Sequence, residues 1–304
     1  MAVKHILVIG ASGYLGSEFV RCLLNKNFKI YGTYNNNKKK LIKNKNVKYF
    51  KLNSIDQKTF NKIKNLKVDY VVNFSGYVNH SPIDNGGNIV IENHLIGLFN
   101  INNFFLDKKI KKFINIGSSD EYGEINTNAT EINREAPFSP YSYAKTASTY
   151  FLQMINKSHN FNVSTIRFFL VYGPRQEDNR LIPAIIKGCI NNHNIDTSPG
   201  MQIRDFLYID DAMSAIIKIL NSKKTNGEVF NVCSAKPVKI KELIINIKKI
   251  IGKGKINFGA RPYRKGESMR LVGSNNKLKK MLGWQQKTSL KNGLIKTIGY
   301  YKND

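Results

Sequence analysis

Residues 4–19, Lys4-His5-Ile6-Leu7-Val8-Ile9-Gly10-Ala11-Ser12-Gly13-Tyr14-Leu15-Gly16-Ser17-Glu18-Phe19, decide how the rest of the chain is read. An apolar run enters a turn of spaced glycines, and an amphipathic segment leaves it. The GxxGxxG spacing gives each glycine a separate task. Gly10 permits a tight turn, Gly13 lets backbone N–H groups approach an anion, and Gly16 allows close packing of helix on strand. A helix that starts here points free N–H groups and the positive end of its dipole at that anion. A glycine triplet alone says little. A strand directly before it and a helix directly after it make it a cradle for a pyrophosphate. Ser12, Tyr14 and Leu15 lie on the same turn and join Gly10, Gly13 and Gly16 as cofactor-contacting candidates.

Working outward, short apolar runs alternate with longer amphipathic segments. Residues 3–9, 29–33, 47–52, 70–74, 113–116 and 163–170 read as strands, several of them apolar on both faces. Residues 15–27, 59–64, 90–106 and 143–158 read as helices. This βαβ rhythm predicts an α/β fold: a Rossmann-type, doubly wound parallel sheet. After Gly173-Pro174 the texture changes. Helices are expected over 181–191, 210–220 and 240–251, a strand over 228–232 and a loop over 196–200, before a tail over 258–284 rich in Gly, Arg and Lys. The expected division is a dinucleotide-binding domain over 1–168, joined by about 205–235. A smaller, interwoven substrate-binding lobe takes 169–204 and 236–304.

A chain of 304 residues, 41% hydrophobic and 11% aromatic, can bury a substantial core, so disorder is excluded as its main state. The net charge is +27, with 48 Lys and Arg against 21 Asp and Glu. That field favours anionic partners. The clusters are short and not interleaved with aromatics, as a nucleic-acid stripe would be, and they read as compositional bias. Cys22, Cys189 and Cys233 are widely spaced with no CxxC, so neither a disulfide framework nor a metal site is expected. No signal peptide or membrane-spanning run is read, which makes the cytoplasm the expected compartment.

After the second strand, NAD sites usually place an acid that binds the ribose diol. Here the strand runs into Tyr34-Asn35-Asn36-Asn37-Lys38-Lys39-Lys40, without a carboxylate and beside a lysine cluster. A 2′-phosphate suits that setting, so NADP(H) is favoured over NAD(H). Tyr141 and Lys145 stand four apart in Tyr141-Ser142-Tyr143-Ala144-Lys145 and share a helix face. An ammonium beside a phenol favours phenolate, and the phenol can then exchange a proton with a substrate oxygen. In Gly117-Ser118-Ser119-Asp120-Glu121-Tyr122-Gly123, a hydroxyl of Ser118 or Ser119 at the carboxyl end of the fifth strand faces the crevice where ligands bind in such sheets.

In order and spacing, GASGYLG (10–16), SSDEYG (118–123), SPYSYAK (139–145), RFFLVYGP (167–174) and RDFLYIDD (204–211) resemble the extended short-chain dehydrogenases/reductases. That family comprises nucleotide-sugar epimerases, dehydratases and 4-ketoreductases of deoxysugar biosynthesis. The likeness runs through Leu282-Gly283-Trp284. It implies cofactor contacts from Phe74, Ser75 and Gly76, from Asn53 and Ser54 with Asn53 replacing the usual aspartate, and from Asn93. It implies Tyr141 and Lys145 as the catalytic pair with Ser118 or Ser119. Arg204 and Arg264 would meet a substrate diphosphate, with Asp120, Glu121, Leu170 and Arg180 as further substrate contacts. Leu170 replaces the usual asparagine. SSDEYG is one residue shorter than the STDEVYG of 4,6-dehydratases, whose Asp and Glu act as acid and base. The shorter form is similar to that of 4-ketoreductases, and the C-terminal half resembles CDP-abequose and CDP-paratose synthases. A homodimer through two helices per subunit is implied as well.

The expectation that follows is a 4-ketoreductase of a nucleotide-linked 4-keto-6-deoxy sugar. The alternatives are a 4-epimerase, a 4,6-dehydratase, and a Rossmann-like protein that has lost catalysis and grips RNA through its lysines.

Overall fold

The computed structural model describes residues 3–38, 40–264 and 266–303. Lys39, in the lysine cluster after the second strand, and Lys265, beside Arg264, lie outside the described residues. A seven-stranded sheet carries strands in the order β10-β6-β5-β4-β1-β2-β3. They are β1 (Lys4–Ile9), β2 (Phe28–Tyr34), β3 (Val47–Lys51), β4 (Tyr70–Asn73), β5 (Lys112–Ser118), β6 (Val163–Phe168) and β10 (Val229–Val232). The pairings of β1 with β2 and β4, of β2 with β3 and of β4 with β5 are parallel. The interior strands are apolar on both faces because helices cover both. Ile6, Leu7, Val8, Val71, Val72, Phe113 and Ile114 are fully buried. This is the doubly wound α/β architecture expected.

The chain divides into two compact units. The first comprises residues 1–123, 134–167 and 213–230, the second 124–133, 168–212 and 231–304. The expected boundaries differ in four places, one of them Phe168 alone, which falls in the second unit. Residues 124–133 fall in the second unit, where Ala129 exchanges backbone hydrogen bonds with Val272 and Ser274. Residues 205–212 also lie there, because β9 (Ile203–Tyr208) belongs to a separate four-stranded sheet with β7 (Leu170–Tyr172), β11 (Pro237–Lys239) and β13 (Arg270–Leu271). Residues 231–235 complete the difference. The single strand expected over 163–170 breaks at Phe169 for the same reason: β6 stays in the large sheet, whereas β7 pairs with β9. Part of the loop expected over 196–200 is β8 (Asn194–Thr197), parallel to β12 (Lys255–Phe258).

Two helical expectations change form in the first unit. Residues 57–63 make a 3₁₀ helix whose entry is capped by the Asp56 side chain on the Lys58 amide. The helix expected over 90–106 comprises α2 (Gly87–Ile91), a π turn (Glu92–Ile96) and α3 (Gly97–Leu106). A π turn carries one extra residue per turn and rotates side chains that would otherwise stay in register. Here it turns His94 inward. α4 (Pro140–His159) starts sharply. Ser139 and Ser142 form a reciprocal cap, and Pro140 occupies the first turn, where its missing N–H costs nothing. No described helix is long and apolar enough to cross a membrane.

Candidate active site

Between β1 and α1 (Tyr14–Leu23) the three glycines separate into two kinds. Gly10 holds φ +76°, and a Cβ there would stand 2.9 Å from the Phe74 carbonyl carbon and oxygen. A Cβ on Gly16 would collide with the Gly10 carbonyl oxygen. Packing of the turn, helix and β4 requires both. Gly13 is different. It is exposed, its φ of −78° suits any residue, and a Cβ would come only within 3.5 Å of the Gly10 oxygen. No side chain caps α1, and its first turn carries no acid. The protein itself leaves the N-terminal dipole end uncapped and the surface above Gly13 open, which fits a dinucleotide pyrophosphate. Ser12 and Leu15 on this turn are half-buried.

Around the cradle, the ends of β2, β3 and β4 line up in parallel register. Thr33, one residue before Tyr34, accepts the Gly10 amide on its hydroxyl at 3.2 Å. Tyr34 is followed by the exposed Asn35, and the Lys38 ammonium sits 5.5 Å from the Tyr34 ring centre. Asn53 accepts the Ile55 amide, while the Ser54 carbonyl accepts from Asn100 at 2.9 Å. Past β4, Phe74 packs on Phe19. The Asn73 amide side chain donates to Asn115 at 2.9 Å and accepts from Ser75. Gly76 holds φ +103°, and a Cβ there would enter the His94 ring. Asn93, expected to face the cofactor, instead donates to the Ile89 carbonyl on its own helix at 2.7 Å. The π turn gives the inward position to His94.

The α4 face carrying Tyr141, Lys145 and Thr149 points at the carboxyl end of β5. Lys145 is buried, and its Nζ donates to the Ile116 carbonyl at 2.7 Å and lies 5.9 Å from the Tyr141 ring centre. Burial pulls this ammonium down to about 8, against the Glu121 carboxylate. Tyr141, 6% exposed, meets two imidazoles edge-on. His94 lies at 5.3 Å and His80 at 5.4 Å between ring centres. The first is neutral, because burial and the Lys145 charge take it down to about 3. The second is 3.6 Å from the Asp120 carboxylate. Both histidines escape sequence reasoning. The only local signal was His94 beside the expected Asn93.

Ser118 and Ser119 are both buried at the end of β5. Ser118 caps the 3₁₀ turn (Ser119–Tyr122), its hydroxyl accepting the Asp120 amide. Glu121 reciprocates on the Ser118 amide at 2.8 Å. Its other oxygen accepts from Thr149 and from Arg167, with the ion pair at 2.8 Å. The side chain is fully buried. Glu121 is therefore an internal tie, not the substrate contact expected. It falls on the inner side of the turn. Burial pushes its carboxyl upward against these donors. Burial also opposes the Arg167 charge, but the carboxylate outweighs it and holds the guanidinium protonated. Asp120 keeps partial exposure.

The remaining expected contacts lie in the second unit. Leu170 pairs with Phe206 across β7 and β9, half-buried. Arg180 is exposed at the start of α5 (Leu181–Ile190). Arg204 is buried and donates to Glu267 at 2.6 Å and to the Ser268 carbonyl. Arg264 is exposed and pairs with the same Glu267 at 2.8 Å. One carboxylate thus holds two guanidinium groups, and the cluster keeps net positive charge. The motif's next residue, Asp205, is structural. Its carboxylate takes the amides of Ser234, Ala235 and Gly273. No group of three or more His, Cys, Asp or Glu among the described residues could hold a metal ion.

The family model described as "NAD dependent epimerase/dehydratase family" matches residues 6–233. A dTDP-D-glucose 4,6-dehydratase of Dictyostelium discoideum is 29% identical over 76% of this chain and 58% of its own length. A putative UDP-glucose 4-epimerase of Methanocaldococcus jannaschii is 27% identical over 98% of this chain and 99% of its own. The solved structure of UDP-glucuronic acid 4-epimerase from Bacillus cereus, in complex with UDP-glucuronic acid and NAD, is 25% identical and superposes with a TM-score of 0.87 over 99% of both chains. The chain belongs to the NAD dependent epimerase/dehydratase family, enzymes of the extended short-chain dehydrogenase/reductase type.

Proposed function

We propose that this chain is a nucleotide-sugar 4-ketoreductase that uses NADPH. The observation that carries the reading is the end of β2, where no carboxylate follows Tyr34 and the Lys38 ammonium rests against its ring. A 2′-phosphate finds a cation there, and a ribose diol lacks its usual acceptor. Gly10, Gly13 and Gly16 would hold the pyrophosphate, with Ser12, Tyr14, Leu15, Asn53, Ser54, Phe74, Ser75 and Gly76 around the rest. Bound there, the dinucleotide supplies the hydride for C4 of the sugar. Tyr141 gives its phenolic proton to the C4 oxygen, and a hydroxyl of Ser118 or Ser119 orients that carbonyl. Lys145 lowers the cost of the phenolate left behind. Arg204 and Arg264 serve the substrate diphosphate through bidentate donors.

Engagement of Glu121 with Arg167 argues against dehydration, which needs a free acid and base beside the sugar. A 4-epimerase is the second reading, favoured by the full-length likeness to the Methanocaldococcus jannaschii protein. We also propose a homodimer through the apolar face described in the Discussion.

The deciding experiment mixes the protein with NADPH and a panel of nucleoside-diphosphate 4-keto-6-deoxyhexoses and 4-hydroxy hexoses. Loss of one NADPH per ketosugar reduced is expected. Conversion of a hexose without added cofactor would replace this reading with epimerisation. Release of water from an intact hexose would replace it with dehydration.

A further inference from the structure

Reduction at C4 leaves Tyr141 without its proton. The sugar carbonyl gains a hydride on carbon and the phenolic proton on oxygen, and the reduced dinucleotide becomes oxidised. One proton must then come from water to restore the phenol before the next turnover. Tyr141 is almost wholly buried, so that proton needs a carrier.

The groups around the phenol differ in what they can carry. Lys145 is buried, with its Nζ on the Ile116 carbonyl. Burial and the Lys145 charge keep His94 uncharged, with its Nε2 engaged by the Tyr77 backbone at 2.9 Å. Glu121 is locked between Arg167, Thr149 and the Ser118 amide. His80 is a further titratable neighbour. Its ring meets the Tyr141 ring edge-on at 5.4 Å, and a third of its side chain is open to solvent. Its Nε2 lies 3.6 Å from Asp120, itself about one-fifth exposed. A carboxylate at that distance orients the imidazole ring.

We propose that His80, positioned by Asp120, returns solvent protons to Tyr141 after each turnover. The step is a transfer from the His80 imidazolium to the Tyr141 phenolate, after which the imidazole takes a proton from water. This rests on the reading of Tyr141 as the proton donor in C4 reduction. His80 is a positioning and relay residue, acting through Tyr141 and not on the sugar.

The test compares the intact protein with His80→Phe, His80→Gln, Asp120→Asn and Tyr141→Phe. The phenylalanine at 80 keeps the edge contact and removes the exchangeable proton. With NADPH and the panel ketosugar reduced fastest, His80→Phe should lower kcat about tenfold or more. It should leave KM for NADPH near wild type and flatten the acid-side pH dependence of kcat. Added imidazole should restore part of the rate. Asp120→Asn should fall between the two. An independent readout is tyrosine ¹³Cζ NMR without substrate, the Tyr141 signal being assigned by its loss in Tyr141→Phe. That signal should move over the same pH range in which kcat changes on its acid side, and stay still in His80→Phe. His94 does not charge in this window. A His80→Phe enzyme with a wild-type pH profile, no imidazole rescue and an unchanged Tyr141 titration overturns the relay and leaves C4 reduction standing. Turnover surviving in Tyr141→Phe overturns the reduction chemistry itself, and the relay with it.

Discussion

Gly13 and Gly16 sit three residues apart in one turn, yet they answer to different forces. At Gly16 the constraint is internal, because a methyl group would enter the Gly10 carbonyl. At Gly13 the protein leaves room, so any constraint comes from a ligand. Gly16→Ala should therefore cost about 1–3 kcal/mol of stability, the usual range for forced overpacking. Gly13→Ala should leave the unfolding midpoint near wild type while weakening NADPH and NADH binding about tenfold, roughly 1.4 kcal/mol. Thermal unfolding and cofactor-fluorescence titration separate the two. A Gly13→Ala protein that binds normally would remove the cradle from the cofactor site. At this scale, legibility followed distance along the chain. The glycine spacing and the Tyr141/Lys145 pair are local patterns on a turn and a helix face, so the sequence displays them. His80 and His94 reach Tyr141 only through the fold, and nothing in their own neighbourhood marks them. Asn93 donates to the Ile89 carbonyl, while the next residue of the π turn, His94, is the buried one.

At the level of elements, Arg167 joins β6 to the turn after β5 and to the approach to α4, through Glu121 and Glu135 at 2.8 and 2.5 Å. All three groups are buried or nearly so, and such pairs stabilise little in net terms but cost a great deal when halved. Arg167→Met should destabilise by about 3–5 kcal/mol, since Glu121 loses the cation that offsets its burial. The double variant Arg167→Met/Glu121→Gln should recover part of that loss, as read by urea unfolding. The pH dependence has a definite sign. Burial already raises the Glu121 folded-state pKa above the unfolded value, and without Arg167 only the Ser118 amide and the Thr149 hydroxyl oppose it, so it rises further. The variant is then most stable below the ordinary glutamate range and loses stability as pH rises through the raised value. Strictly additive losses in the double variant would show that the two charges are not coupled. The same elements show why SSDEYG was only half legible. Its strand-end position could be read, but the inward turn of Glu121 onto Arg167 and Thr149 is a matter of packing. β9 escaped notice for a similar reason. Asp205 is a poor strand former, and its place is justified only by three amides from distant segments.

Over the whole molecule, the chain passes between its two units at residues 123/124, 133/134, 167/168, 212/213 and 230/231. The interweaving was legible as a change of texture after Gly173-Pro174. The crossing points were not, because they depend on which strand each segment finds as its partner. The net charge of +27 likewise says what the surface attracts and not where. What the surface does localise is apolar. Along α4, Tyr143, Tyr150 and Met154 lie on one face and are about half exposed, and Ile89 and Ile96 are similarly exposed on the neighbouring α2 and π turn. The two segments pack against each other. A continuous apolar face of this kind on a chain so rich in lysine is costly to leave in water, and a self-complementary two-fold contact covers it with the fewest new surfaces. The expected state is thus a homodimer in light scattering at micromolar concentration. Ile89→Glu/Met154→Glu places like charges on the face of each subunit and should give monomers. Both side chains are about half exposed on the outer face, so NADPH affinity should stay within about twofold, well under 1 kcal/mol. A double variant that remains dimeric would move the interface elsewhere, and a wild-type protein that is monomeric would leave this face without a second copy to cover it.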